Sequence, residues 1–219
     1  MTTEQSDRRW PSRRRFLGSV AAGTVALAGC TGGSETDPAN GPDTLDEPPE
    51  WPPVLGDPDA AVTLEVFEDF NCPHCQDYNT EQFPEIESEY LDSEQIRYVH
   101  RDLPFLHETS WQAVSAVREV YRLYGNEQFW SYKSTLMSEG GRIQQEAPDI
   151  FGEIADQQNL DADAIQQAAA DREHDAAARE DRSRAEEYGV QGTPAFVVDG
   201  ELTDDLADAR ETIDTKLSE

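Results

Sequence analysis

The chain is poor in lysine, in cysteine and in long apolar runs, and each shortage removes a class of function. Only two lysines, Lys133 and Lys216, stand among 17 basic residues, against 46 acidic ones, for a formal charge of −29. Phosphate backbones are bound by basic stripes that release counterions; no such stripe is present, so nucleic acid is excluded as a partner. No apolar run reaches the roughly 18 to 20 residues of a spanning helix, which excludes a polytopic membrane protein. Hydrophobic residues amount to 37%, below the globular norm. Most of the eight Phe, seven Tyr and four Trp fall after residue 50, however, so a core can form there and full disorder is excluded for that part. The length fits one ordinary domain with appendages.

The acidic residues are spread along every segment rather than gathered in a tail. Dispersion of this kind points to a surface built for concentrated salt, where a Debye length of about 3 Å at 1 M hides most carboxylate repulsion. A well-solvated ordinary surface is the plainer alternative.

The first thirty residues read as an address. Ser12-Arg13-Arg14-Arg15-Phe16-Leu17 resembles the twin-arginine export signal, with Gly18 where a lysine is often found, and a short apolar stretch runs from Gly18 to Ala28. A basic head, a short apolar middle and a small-residue end describe a signal peptide over residues 1–29. Leu27-Ala28-Gly29-Cys30 resembles a lipobox, which implies cleavage before Cys30 and a lipid on its thiol as the membrane attachment. Loss of residues 1–29 leaves 12 basic against 44 acidic residues. Residues 30–58 are rich in Pro, Gly and acid and lack any period of 2 or 3.6, so a flexible tether is expected. Trp51 is the one residue there with the means to dock on the domain.

Residues 59–219 read as a single α/β domain. Strands are expected at Ala61 to Phe67, Gln95 to His100 and Ala195 to Val198, with a turn at Asp199-Gly200. Helices are expected at Cys72 to Tyr90, from a Thr109-x-x-Gln112 capping box to Gly125, and around Phe129, Trp130, Lys133, Leu136 and Met137. More are expected at Pro148 to Gln157, at Asp161 to Tyr188 with a break near Arg172 to Asp175, and over Leu206 to Leu217. The order is β-α-β, a helical insertion over about 104–188, then β-turn-β-α.

The chemistry concentrates at Cys72-Pro73-His74-Cys75. Two cysteines three positions apart at a helix start lie on one face, close enough for a disulfide. The first sulfur sits near unpaired N–H groups and the positive end of the dipole, which favours thiolate and makes Cys72 both nucleophile and leaving group. Pro73 and His74, between the cysteines, are the tuning residues. A static disulfide and a zinc site are the alternatives, but tetrahedral zinc needs four ligands. With Cys30 committed to lipid no second cysteine pair remains, and His100 and His107 read as a strand and a loop residue.

The segment Phe67-Glu68-Asp69-Phe70-Asn71-Cys72-Pro73-His74-Cys75 resembles the DsbA-like branch of the thioredoxin superfamily, and Gly189-Val190-Gln191-Gly192-Thr193-Pro194 resembles that family's second motif. The resemblance covers roughly residues 52–219 and implies a thioredoxin-like α/β fold with an inserted helical domain. It implies a redox-active disulfide Cys72–Cys75 in place of any cofactor or metal, with Cys72 the exposed nucleophile and Cys75 the buried resolving cysteine. Pro194 would be a cis-proline facing the cysteines, and Thr193 would offer backbone groups to an extended substrate. Many relatives carry a buried acid six residues before the first cysteine; here that position is Val66, with Glu65, Glu68 and Asp69 around it. The expected activity is thiol:disulfide exchange on cysteine-containing exported proteins, with an unidentified redox partner for which the membrane is one location. Disulfide formation is the direction expected. A reductase or isomerase kept reduced by a membrane partner, and a non-catalytic peptide-binding lipoprotein, are the alternatives.

Overall fold

The computed structural model describes residues 41–219; the twin arginines, the apolar stretch and Cys30 lie outside the described residues. Among the described residues five strands form one sheet in the order β1 (Val54–Gly56), β3 (Ile96–Asp102), β2 (Val62–Glu68), β4 (Ala195–Val198) and β5 (Glu201–Leu202). Its centre is β2 (Val62–Glu68), parallel to β3 (Ile96–Asp102) and antiparallel to β4 (Ala195–Val198). The near-continuous burial of β2 follows from this central place, since both of its faces are covered. Val62, Leu64 and Val66 face the main core, while Phe67 joins Leu103, Ala185 and Val197 on the opposite side. Short β5 (Glu201–Leu202) closes one edge.

The helical segment after β2 begins as α1 (Pro73–Asp77), passes through a π turn at Tyr78–Gln82 into α2 (Phe83–Ile86), and ends in a second π turn at Glu87–Leu91. Between β3 and β4 lie α3 (Glu108–Tyr124), α4 (Asn126–Ser138), α5 (Arg142–Glu146), α6 (Asp149–Gln157), α7 (Ala162–Asp171) and α8 (Asp175–Glu187). The chain ends in α9 (Leu206–Leu217). The capping box of α3 is built by His107 and Ser110, not by Thr109 and Gln112, because the chain turns helical two residues earlier than the sequence signal suggests. No hydroxyl is needed at the cap when an imidazole nitrogen can accept from the Ser110 N–H.

The tether expected over residues 30–58 is docked in its second half. The Leu45 N–H donates to Leu123 O at 2.5 Å, and the Tyr121 hydroxyl donates to Glu50 O at 2.7 Å. Trp51 packs edge-on against Tyr121 and Phe129, its ring lies 3.8 Å from the Arg118 guanidinium, and its Nε1–H donates to Asp181. Val54–Gly56 then forms β1, antiparallel to β3. The Asn126 side-chain amide accepts from Val54 N and donates to Val54 O, fixing this three-residue edge strand that its Pro-rich surroundings concealed. Gly56 has φ +78° and stands where a Cβ would meet Ile96 O at 2.2 Å, so no other residue fits the close approach.

Candidate active site

Cys72 sits in the loop that leaves the C-terminal end of β2 and is the N-cap of α1. The preceding loop is held by Asp69, whose carboxylate accepts from the backbone N–H of Asn71, Phe105 and Leu106 at 2.8, 2.9 and 3.0 Å. Asn71 in turn donates to the hydroxyls of Thr109 and Ser110. Pro73 takes the first helical position, where a missing N–H costs nothing because that group would have no helical partner. Pro73 and His74 are exposed, and Cys75 is fully buried one turn into the helix.

The Gly189–Pro194 segment returns to this point from more than a hundred residues downstream. The Thr193–Pro194 bond is cis, and the Cys72 sulfur lies 3.2 Å from Thr193 O. This contact covers the sulfur: Cys72 is only 5% exposed, so the exposed nucleophile expected from the sequence is in fact reached only along its rim. Cys72, Cys75, Pro73, His74, Thr193 and Pro194 thus meet in one place, with both thiols free.

The two thiols are driven apart in acidity. A hydrogen bond from Cys75 is the largest influence on Cys72, and it prevails over burial together with the Thr193 side chain and the N–H groups of Cys75 and His74, bringing the Cys72 pKa down to about 5. The Thr193 hydroxyl is buried without a hydrogen-bond partner, so its proton is available to a sulfur anion. Burial pushes Cys75 far up, and the neighbouring Cys72 and Glu68 charges add to it. The pair therefore holds one thiolate and one thiol over the whole neutral range.

Beneath the thiols lies a carboxylate that the Val66 comparison overlooked. Strand side chains repeat every two residues, so Glu68 occupies the same face as Val66 one step further along. Its carboxylate is fully buried, accepts from the Asn79 amide, and lies 2.8 Å from Lys133 Nζ and 3.0 Å from His100 Nδ1. Burial alone would raise this carboxyl, but Lys133 and His100 override it and bring the pKa to about 2. Asn79 also donates to Cys75 O, which ties the carboxylate to the resolving cysteine. Glu65 points to the other face, where Arg101 and Arg184 pair with it at 2.7 Å, and Asp69 is spent on the loop. Nor is His107 a ligand: it caps α3. Among the described residues no group of three or more His, Cys, Asp or Glu is placed to hold a metal ion.

The sequence carried one overlooked signal for this arrangement. Lys133 belongs to the apolar stripe of α4 with Phe129, Trp130, Leu136 and Met137, all buried. A lysine that shares an apolar face demands a buried partner.

A family model described as thioredoxin matches residues 50–215. Disulfide bond formation protein D of Bacillus subtilis (strain 168) is 28% identical over 171 residues, which span 75% of this chain and 77% of that protein. The oxidised form of BdbD from Bacillus subtilis shares the fold with a TM-score of 0.70 at 24% identity, covering 81% of this chain and 100% of that one. DsbA from Chlamydia trachomatis does so with a TM-score of 0.66 at 21% identity, over 80% and 93% of the two chains.

Proposed function

From the premise that the chain belongs to the thioredoxin family and is a DsbA-like protein disulfide oxidoreductase, we propose that it forms disulfides in exported proteins, held outside the membrane by a lipid on Cys30. A substrate thiolate attacks Cys72 of the Cys72–Cys75 disulfide, and Cys75 leaves and takes a proton. A second substrate thiolate then attacks the substrate sulfur, closing the product disulfide and releasing Cys72 as thiolate. A redox partner must reoxidise the dithiol between turnovers.

What supports the oxidising direction is the depressed pKa of Cys72. At pH 7 a thiol of pKa about 5 is about 99% ionised against roughly 3% for a free one, a gain of about thirtyfold. A Brønsted coefficient of about 0.45 over the same 3.5 units removes about fortyfold of nucleophilicity, so attack gains nothing. What remains is a better leaving group and a stabilised reduced form. The latter favours reduction of the enzyme disulfide on the order of a hundredfold at pH 7, or about 60 mV. The test is a redox titration against glutathione with an insulin reduction assay alongside. An oxidising potential with weak insulin reduction supports the proposal; a potential near that of a reducing thioredoxin assigns the protein to the reductase class.

Two further outcomes are expected of the same reading. Cys30→Ser should release the protein from membrane to medium in cell fractions, since the lipid is the proposed attachment; a mutant that stays with the membrane counts against it. The dispersed acidity supports a salt-adapted surface. The melting temperature should therefore climb between about 0.1 and 2 M salt as screening shortens the reach of carboxylate repulsion, and a flat profile would remove that reading.

A further inference from the structure

A row of six charged side chains crosses the interior behind the thiols: Lys133, Glu68, His100, Asp102, Arg118 and Asp181, alternating in sign. All six are no more than 4% exposed. His100 stands in the middle, its Nδ1 3.0 Å from Glu68 and its Nε2 2.9 Å from Asp102. The other oxygen of Asp102 accepts from Arg118 Nε at 2.7 Å, and Arg118 continues to Asp181 at 2.5 Å. A neutral imidazole owns one N–H and one lone pair. With carboxylate oxygens against both nitrogens, a neutral ring would aim that lone pair at an anion, so the geometry calls for imidazolium. Histidine is also the one residue type in the row whose charge ordinarily changes near neutrality.

We propose that His100 is a positioning residue of the redox site, binding a proton more tightly when the Cys72–Cys75 pair is reduced and acting on the thiols through Glu68. The inference rests on the oxidoreductase reading above. Reduction breaks the sulfur–sulfur bond as two substrate thiolates supply two electrons and join in a disulfide. Cys75 takes one proton and Cys72 stays a thiolate. The new negative charge draws a second proton from solvent onto His100 in the pH interval between the ring's two pKa values, and reoxidation releases both. Reciprocity requires the converse: a protonated His100 favours the thiolate and so the reduced form.

The surroundings of the ring agree. Burial works against the charged ring, yet the hydrogen bonds to Asp102 and Glu68 hold His100 above its ordinary value with both thiols free. Lys133, from α4, opposes protonation; Glu68 from β2 and Asp102 from its own strand favour it. Arg118 from α3 and Asp181 from α8 act at one remove through Asp102. The uncharged rings of Trp51, Phe70, Phe129 and Trp130 also pack against it.

The experiment is the pH dependence of the reduction potential of the full chain, measured in a His74→Gln background so that the exposed ring beside Cys72 contributes nothing. Where one proton accompanies two electrons, the equilibrium changes tenfold per pH unit, or about 30 mV. Over the His100 interval it should steepen towards a hundredfold per unit, and adding His100→Gln should restore the tenfold slope throughout. A second measurement needs no change at His100: nitrogen NMR of the labelled histidines should show this ring titrating at higher pH in the reduced protein than in the oxidised one. A ring that titrates identically in both states, or a steep interval that survives in a folded His100→Gln variant, overturns the inference. Absence of any two-electron couple would instead overturn the oxidoreductase reading on which it stands.

Discussion

Cys75→Ser should accumulate mixed disulfides between Cys72 and exported proteins, visible as high-mass species that vanish under reductant, while Cys72→Ser should give neither adducts nor activity. The asymmetry follows from where the two sulfurs stand. Cys72 meets the backbone N–H groups at the start of α1 and the Thr193 side chain, all of which favour its anion. Cys75 lies one turn deeper, without solvent exposure and beside the Glu68 charge, which together hold it as a thiol. A mixed disulfide on Cys72 is ordinarily removed by Cys75 or by a second substrate thiol, and serine cannot supply the first route. Activity of the serine variant at 75 should fall by two orders of magnitude or more, on the scale typical of losing one member of a nucleophilic pair. Alkylation checks the cause: Cys72 should react with a midpoint near pH 5, set by its thiolate, whereas Cys75 should stay unmodified in the folded protein across the neutral range. Adducts trapped mainly through Cys75 would reverse the assignment of the two roles.

The parts of this site that were legible in the sequence are those whose chemistry is local. The spacing Cys72-Pro73-His74-Cys75 fixes its own geometry once a helix starts there, and the Asp199-Gly200 turn folds β5 back onto β4. The three main strands and the helix stripes announced themselves through period and length. Two things stayed hidden. Leu45 to Gly56 looked like a tether because its proline and acid content forbids a core of its own; it is ordered by partners on α3, α4 and β3 that a local reading cannot see. The charged row stayed hidden for a related reason. Glu68, His100 and Lys133 are 65 residues apart from first to last in a chain full of acids, and a carboxylate in such a background carries no signal by itself. A fixed offset from Cys72 points to Val66, whereas burial follows the strand face, on which Val66 and Glu68 are successive steps.

That row also makes the domain sensitive to the loss of any one charge, and Lys133→Met is the substitution that exposes it. Methionine fills the stem's volume among Phe129, Trp130 and Leu136 but leaves Glu68 with His100 as its one charged partner. Removing one member of a buried ion pair costs about 3–5 kcal/mol, since the remaining charge keeps its desolvation penalty without its attraction. The acid limb supplies an independent check of sign. Glu68 has a folded pKa of about 2 against an ordinary 4.5. Its contribution, about 3 kcal/mol, is therefore complete above the unfolded value and lost as pH falls towards 2. Without Lys133 the folded pKa rises, so the window narrows and acid unfolding should begin at higher pH. Adding Glu68→Gln to Lys133→Met should recover most of the loss in urea unfolding, because a neutral amide no longer needs the ammonium, and the coupling between the two changes should reach about 2 kcal/mol or more. Two single losses that simply add would mean that Lys133 and Glu68 are separately solvated, and that the charge beneath Cys75 is not held by this pair.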